Sequence, residues 1–177
     1  MSDNTPARTT LYPEDSVDNY PGEYGNEDDG TMPRNVETLA QQVIGHRIVK
    51  AEQSRVKRSE FRRVGDDWTD EIDYGSGLVL TLDDGRRVIL QDTSDCCAYT
   101  EVQQFLLNPE RVDHMITGVQ TTEGYTKWHI FADLGDVLQL QVDWSPGNAF
   151  YYGYGFTIGV SDVIDGEIVD PRREIES

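Results

Sequence analysis

The chain has 177 residues, of which 37% are hydrophobic, and it carries a formal net charge of −18. This length suits one domain with a buried core, since domains commonly span about 100–200 residues. So negative a charge repels nucleic-acid phosphates and anionic lipid, so we do not expect nucleic acid as a partner. We also expect no membrane span and no secretory signal, because apolar runs of about 18 residues are lacking and residues 1–6 lack basic and apolar regions.

Residues 1–34 are predicted to form a disordered acidic arm. They contain eight acidic and two basic side chains, four prolines and few apolar positions, a composition that cannot offset the entropy of ordering. Tyr12, Tyr20 and Tyr24 recur among acidic neighbours, and such sites can dock onto a basic groove of a partner. Sparse aromatic residues in a solvated linker are the favoured interpretation, because such composition is common in linkers. Residues 164–177, with five acidic and two basic side chains, are predicted to form a polar acidic tail.

Residues 35–163 are predicted to form a single α+β domain, mostly antiparallel β-sheet with one or two short helices. Asn35 is expected to cap a helix whose apolar positions repeat on one face as far as Val43, with Gly45 as its C-terminal stop. The alternating run over residues 46–52 then predicts a first strand.

An Asp-Gly pair predicts a hairpin further along the chain. Residues 78–82 and 87–90 are apolar runs that flank Asp84-Gly85, which is the strongest short-range hairpin signal. A helix of about three turns is predicted next. Its capping residues are Asp92 to Asp95, its apolar face is Ala98, Val102, Phe105 and Leu106, and its stop is Asn108-Pro109.

The last third of the chain is predicted to consist of strands. Residues 112–121 are a weak strand candidate, whereas 127–131 and 137–144 are clear runs on either side of a turn at 133–136. The run 137–144 alternates apolar and polar residues, which predicts one buried and one solvated face. An aromatic strand over residues 150–160 is expected to close the domain.

One basic cluster, residues 55–63, interrupts this acidic sequence and is followed at once by acidic side chains at 66–73. Segments of opposite charge so close together in sequence favour pairing with each other across a hairpin. A nucleic-acid role is disfavoured, because phosphate binding would have to overcome the surrounding negative field.

A set of motifs lies between residues 44 and 160: Ile44-Gly45, Asp84-Gly85, Asp95-Cys96-Cys97 at a predicted helix start, the strand Trp128 to Ala132, and Trp144 followed by Asn148 and Tyr151-Tyr152. In these motifs the chain resembles an uncharacterised family of small acidic proteins from bacteriophages and their bacterial hosts. It departs from the family at the last turn, where Gly147-Asn148-Ala149-Phe150-Tyr151-Tyr152 replaces Ser-Asn-Gly-Tyr-Tyr. The resemblance implies a phage accessory or virion-associated protein, found in the host cytoplasm or in the virion, and supplies no activity.

Cys96 and Cys97 are the candidates for special chemistry. Thiols in the first turn of a helix feel its positive end, which lowers their pKa, although the charge of Asp95 beside them acts in the opposite direction. A buried structural pair is the favoured interpretation, since free cysteine is usually buried. A zinc site built from Cys96, Cys97 and His129 is a weak hypothesis, because neither His46, His114 nor His129 stands at a ligand spacing typical of zinc. Alternation places His129 on the sheet face opposite Trp128 and Ile130.

Two acidic turns are the remaining candidates for metal binding. Asp133 and Asp136, or Asp83 and Asp84, could bind calcium weakly, although neither pair follows the EF-hand spacing and turn residues explain both equally well. No cofactor is expected.

The sequence therefore favours a non-enzymatic, phage-encoded interaction module that binds a host or defence protein. Its candidate contact residues are Tyr151, Tyr152, Tyr154, Tyr20 and Tyr24, since exposed aromatic side chains mark interfaces. The acidic surface could also mimic DNA. The alternatives are a virion structural component such as a capsid decoration protein and, third, a small zinc- or thiol-dependent enzyme. The oligomeric state is left open.

Overall fold

The computed structural model of the protein describes residues 12–13, 16–18, 31–56, 61–64, 75–94, 98–145 and 155–161. Across these ranges the paired strands are antiparallel, which confirms the prediction of a mostly antiparallel β-sheet protein. None of the described residues forms a helix long and apolar enough to cross a membrane. The elements in chain order are α1 (Thr31–Val43), β1 (Ile48–Val56), β2 (Arg62–Arg63), β3 (Gly75–Leu82), β4 (Arg87–Gln91), β5 (Thr93–Ser94), β6 (Tyr99–Leu107), β7 (Gly118–Thr122), β8 (Lys127–Ala132), β9 (Gly135–Ser145) and β10 (Thr157–Val160).

The first sheet has the strand order β1-β3-β4-β10-β2. Its centre is the predicted hairpin of β3 and β4, in which Leu80 lies opposite Val88 and Thr81 opposite Arg87. Gly85 in the connecting turn has a φ of +89°, which is the left-handed region that favours glycine. The Asp-Gly signal therefore located this turn correctly.

The second sheet has the order β5-β6-β9-β8-β7. The predicted runs over 127–131 and 137–144 are confirmed as β8 and β9, joined by a tight turn in which Ala132 lies opposite Gly135. Alternation along β9 is also confirmed, because Leu140 and Val142 are buried while Gln141 between them is exposed.

The predicted helix after Asp92 is wrong. That segment contains β5 and β6 instead, and β6 pairs with β9 along its length, from Tyr99 opposite Ser145 to Leu107 opposite Leu138. The pairing register shifts between Val102 and Gln104, which is the signature of a β-bulge, where one extra residue is inserted in a strand.

The bulge explains why the segment resembles a helix in sequence. Before it, Thr100 and Val102 are buried; after it, Phe105 and Leu107 pack against the core, so the inward positions change phase. Inward positions repeat every two residues on each side of the inserted residue. Across the insertion they lie three residues apart, and positions two repeats apart lie four residues apart. Spacings of three and four also occur on one face of a helix. Leu106, assigned to the apolar face of the predicted helix, is 65% exposed.

The helix α1 was predicted from its apolar face, and that face is confirmed, although the helix begins at Thr31 rather than after Asn35. Leu39 and Val43 are fully buried, and Gly45, at a φ of +86°, follows the last turn. Asn35 is not a cap. Its side chain accepts a hydrogen bond from the Phe156 N–H (2.6 Å) and donates one to the Phe156 carbonyl (3.1 Å), which joins α1 to the chain entering β10.

One hydrophobic core unites both sheets and the helix. The fully buried side chains with the largest volumes include Trp128 from the second sheet, Leu80 from the first and Met32 from α1. Trp128 also packs edge-on against Phe156 at a ring-centroid distance of 5.4 Å. A smaller cluster of Phe61, Val79 and Ile89 lies apart from this core.

Candidate functional site

A segment from near the N-terminus lies against the edge of the second sheet. Val17 forms an antiparallel bridge with Thr122 of β7, and the Asp18 N–H donates to the Thr121 carbonyl at 2.9 Å. β7 is the last strand in its sheet, and an edge strand presents unpaired backbone groups that can pair with another chain. We call residues 12–13 and 16–18 the N-terminal segment.

Tyr12 anchors one end of the N-terminal segment on the outer face of the same sheet. Its hydroxyl donates to Oδ1 of Asp136 at 2.5 Å. Its ring lies 4.3 Å from the imidazole of His129, tilted by 36°, and packs edge-on against Phe131 at 6.1 Å. Burial, followed by the hydrogen bond to Asp136 and the charge of that carboxylate, raises the pKa of Tyr12.

His129 is held on both sides beneath Tyr12. Its Nδ1 lies 3.0 Å from Oδ2 of Asp136, and its Nε2 lies 2.9 Å from the Thr122 hydroxyl. As predicted, it lies on the sheet face opposite Trp128 and Ile130, but it is only 5% exposed. Both ring nitrogens are therefore already engaged, which leaves neither available to a metal ion without breaking a hydrogen bond.

Asp18 anchors the other end of the segment in the turn between β7 and β8. The Gly124 and Tyr125 N–H groups donate to its two carboxylate oxygens at 2.9 and 2.7 Å. Glu123, Gly124 and Tyr125 have φ values of 57°, 67° and 60°, so three successive residues occupy the left-handed region. Successive N–H groups in such turns form concave anion-binding sites called nests. We call residues 123–125 the nest.

These contacts define one docking surface, formed by Thr122, the nest, His129 and Asp136. The hydroxyl–imidazole–carboxylate order of Thr122, His129 and Asp136 also occurs in catalytic triads. Here, however, the ring of Tyr12 lies over the imidazole and its hydroxyl takes an oxygen of the carboxylate. In the structure these three residues therefore hold a tyrosine.

A second cluster joins the end of α1 to the β3–β4 turn. Ligand atoms of His46, Asp83 and Asp84 lie within 4.8 Å of one another, which includes the acidic pair considered for calcium. The Arg86 guanidinium already lies among them, 2.7 Å from Oδ2 of Asp84 and 3.1 Å from Nε2 of His46. Burial alone would raise the pKa of Asp84, but the hydrogen bonds and charge of Arg86 lower it below its usual value. An arginine thus supplies the positive charge that a metal ion would bring.

An open polar groove of about 480 Å³ separates β1 and β3 from β6. Two side chains bind the β6 bulge there: Asp92 accepts from the Val102 N–H at 3.1 Å, and Gln53 donates to the Val102 carbonyl at 2.9 Å. Burial, only partly offset by the Val102 hydrogen bond, raises the pKa of Asp92. These two bonds satisfy the backbone at the irregular point of the strand, which is a structural role.

Most of the predicted site residues fall outside the described part of the chain: Tyr20, Tyr24, Tyr151, Tyr152, Tyr154, Cys96 and Cys97. The zinc and interaction hypotheses built on them stay predictions. The segment expected to form a helix after the cysteines is the strand β6, so no such helix has its N-terminus at the two thiols. Two glycines just before β10 and within it meet backbone or packing constraints: Gly155 has a φ of +96°, and a Cβ on Gly159 would lie 3.1 Å from Ile89.

Sequence reasoning missed Asp18, Thr122 and Asp136 as a group. Asp136 was considered only as a turn residue or a weak calcium ligand, and Tyr12 only as one of three tyrosines in the arm. The available signal was His129, a titratable residue predicted on the face opposite Trp128 and Ile130. Thr122 and Asp136 each lie seven positions from it, but Tyr12 and Asp18 lie more than 100 positions from the groups they bind, so no local pattern unites the whole group.

A family model described as a domain of unknown function, DUF7448, matches residues 41–158. This match covers the two-sheet domain from the end of α1 to β10 and includes Thr122, the nest, His129 and Asp136. No curated protein matches the chain, and neither does any solved structure.

Proposed function

The chain belongs to the DUF7448 family. We propose that it is a non-enzymatic, phage-encoded accessory protein that acts as a protein-interaction module, and its phage origin is proposed from the motif resemblance described above. The observation that carries the proposal is the seating of the N-terminal segment on the docking surface. A surface that holds a segment of its own chain has the backbone and side-chain groups needed to hold one from a partner.

The mode of binding we propose is strand addition. An extended peptide adds to an exposed sheet edge, main-chain hydrogen bonds supply affinity and side-chain pockets supply specificity. The bridge between Val17 and Thr122 is the main-chain part. The contacts of Tyr12 with Asp136 and of Asp18 with the nest are the side-chain part. The acidic protein as a whole favours a partner with basic residues, because complementary charge steers association.

Catalysis is the less favoured interpretation of Thr122, His129 and Asp136. A hydroxyl nucleophile needs space for a substrate beside the imidazole and donors for the developing oxyanion. The Tyr12 ring takes the place over His129, and the Asp18 carboxylate takes the two N–H groups of the nest. Both groups fit recognition of a peptide.

A photo-crosslinking experiment tests the proposed function. A photoreactive amino acid replaces Lys127, which lies beside the docking surface on β8, and in a matched control it replaces Lys50 on β1. The two lysines are comparably exposed, at 40% and 43%, and each pairs with a glutamate. In lysate of the bacterial host we expect one discrete protein to be cross-linked from position 127 and not from 50. Equal cross-linking from both positions, or none from 127, would reject the proposal.

A virion structural component, such as a capsid decoration protein, is a second candidate. It is favoured by the 12 positions between Asp18 and Thr31, a length that spans up to about 40 Å when extended. In an assembly whose copies lie within that reach, one copy would donate its N-terminal segment to the next. A fixed copy number per purified particle, with cross-links between copies from position 127, would select this candidate.

A further inference from the structure

The nest is built before any ligand arrives, because its carbonyl groups are fixed from behind. The Trp144 indole N–H donates to the Gly124 carbonyl at 2.8 Å, and the Trp128 indole N–H donates to the Tyr125 carbonyl at 2.9 Å. Tyr125 is only 3% exposed, and its ring meets that of Trp144 edge-on at 6.2 Å. Trp144 thus holds the peptide group that carries the Tyr125 N–H, and the Thr126 hydroxyl, which donates to the Glu123 carbonyl at 2.7 Å, holds the one that carries the Gly124 N–H. Trp128 fixes the end of the same turn.

The left-handed backbone conformation of the nest is unfavourable for residues other than glycine. Glu123 and Tyr125 are the non-glycine residues with positive φ in the described chain, and residues kept in sparsely populated backbone regions cluster at ligand sites. The Asp18 carboxylate fills the nest with one oxygen on each N–H. Hydrogen bonds of backbone N–H groups to a carboxylate are charge-assisted and roughly twice as strong as neutral ones.

We propose that the nest and the His129–Asp136 pair form a receptor for segments in which a tyrosine precedes an aspartate by six residues, with a turn between them like the one in which the Ser16 N–H donates to the Pro13 carbonyl at 2.9 Å. In this inference, which rests on the proposed function and names its ligand, the N-terminal segment is a resident competitor that a partner segment displaces. The tyrosine hydroxyl donates to Asp136, the aspartate carboxylate enters the nest, and the residue before the aspartate bridges to β7.

Charge explains how a partner can outcompete a segment that is covalently attached. The tethered segment carries Glu14 and Asp15 between its two anchors, and a protein of net charge −18 repels both. A partner segment with the same anchors and neutral or basic residues between them avoids that repulsion. The tether acts in the opposite direction, because it gives the resident segment an effective concentration of about millimolar.

Peptide binding to the full-length protein tests this inference by fluorescence anisotropy. The probe is a labelled peptide of residues 9–20, and the proteins are the wild type, an opened variant with Tyr12→Ala and Asp18→Ala, and a charge control with Asp133→Ala, whose side chain is 74% exposed at another turn. We expect the opened variant to bind the peptide at least about tenfold more tightly than the wild type and the control do, because the tethered competitor is removed.

Variants of the peptide then identify the anchors. On the opened protein, Asp18→Ala in the peptide should weaken binding at least about tenfold, as loss of a charge-assisted pair of hydrogen bonds requires. Glu14→Lys with Asp15→Lys should tighten it, most strongly at low salt. Equal binding of the native and Asp18→Ala peptides, or no binding of either, would overturn the inference.

A second measurement does not depend on the opened variant. Amide hydrogen exchange of Gly124 and Tyr125 in the full-length Asp18→Ala protein should be faster than in the wild type, while unchanged exchange would contradict the docked carboxylate. The outcomes also separate the two proposals. A partner cross-linked from position 127 without peptide selectivity retains the function and rejects this ligand, and peptide selectivity without a cross-linked partner retains the receptor and rejects the phage–host role.

Discussion

Gly118 shows how one missing side chain shapes the docking surface. It begins β7 opposite Phe131 of β8, and a Cβ at this position would lie 2.4 Å from the end of the Phe131 ring. Because Phe131 is 1% exposed, its ring cannot swing aside into solvent. Glycine lets the ring lie flat across the edge strand, where it supports the ring of Tyr12.

Gly118→Ala is expected to destabilise the protein by about 1–3 kcal/mol, the usual penalty for overpacking a tight site. Urea denaturation followed by tryptophan fluorescence measures this loss. Phe131→Leu shortens the ring that causes the clash, so the double variant should lose less than the two single losses added together. Strict additivity would show that the clash is relieved elsewhere.

Tyr12 provides a pH-dependent prediction at the same scale. Its pKa is raised in the folded protein by burial first and then by Asp136, above the value of about 10 of a free tyrosine. A group with a raised pKa stabilises the fold fully below its unfolded pKa and loses that contribution as pH rises through the folded pKa. Docking of the N-terminal segment should therefore persist at pH 9 and weaken above about pH 10.

NMR of tyrosine labelled with ¹³C at Cζ measures this titration, and Tyr12→Phe assigns the resonance. Tyr99, whose pKa is raised mainly by the charge of Asp143, is an internal comparison at an exposed position. Titration of Tyr12 at the midpoint of a free tyrosine would contradict the docked hydrogen bond.

The strand β6 decides the architecture at the scale of elements. If the chain from Asp92 to Leu107 were helical, Val102 and Leu106 would share a face at a spacing of four residues. In the strand they do not, because the bulge at Gln103 lies between them: Val102 is 5% exposed and Leu106 is 65% exposed. The bulge also lets β6 remain paired with β9. At the bulge, Asp92 and Gln53 form hydrogen bonds with the backbone N–H and carbonyl of Val102.

Paired substitutions test this assignment. Val102→Ala should cost about 2 kcal/mol, from lost apolar burial and a small cavity. Leu106→Gln should change the free energy of unfolding by less than about 0.5 kcal/mol, as surface substitutions usually do. Both values come from denaturant titration, and similar large losses at the two positions would instead support a helix with both residues in the core.

Net charge acts on the molecule as a whole. The chain carries −18, with half of the excess in residues 1–34 and 164–177, and self-repulsion of this kind destabilises a compact state. The contacts of Tyr12 with Asp136 and of Asp18 with the nest must also hold an acidic segment against a negatively charged protein. Added salt should therefore raise both the stability of the fold and the stability of the docked N-terminal segment.

Raising NaCl from about 10 to 150 mM shortens the Debye length from about 30 to 8 Å, so we expect the melting temperature to rise. Differential scanning fluorimetry measures the shift, and KCl at equal ionic strength should match it, since the effect is screening and not specific binding. A melting temperature that falls with salt would show that attractive ion pairs, such as Arg86 with Asp84, outweigh the repulsion.

Local signals in the sequence were enough to predict the Asp84-Gly85 hairpin, the alternation along β9 and the apolar face of α1. The remaining features depend on contacts between distant segments, for two physical reasons. A bulge in β6 changes the phase of burial and imitates a helix, and only pairing with β9 reveals it. The docking surface joins Tyr12 and Asp18 to side chains and backbone groups more than 100 residues away, and their proximity exists only once the sheet has folded.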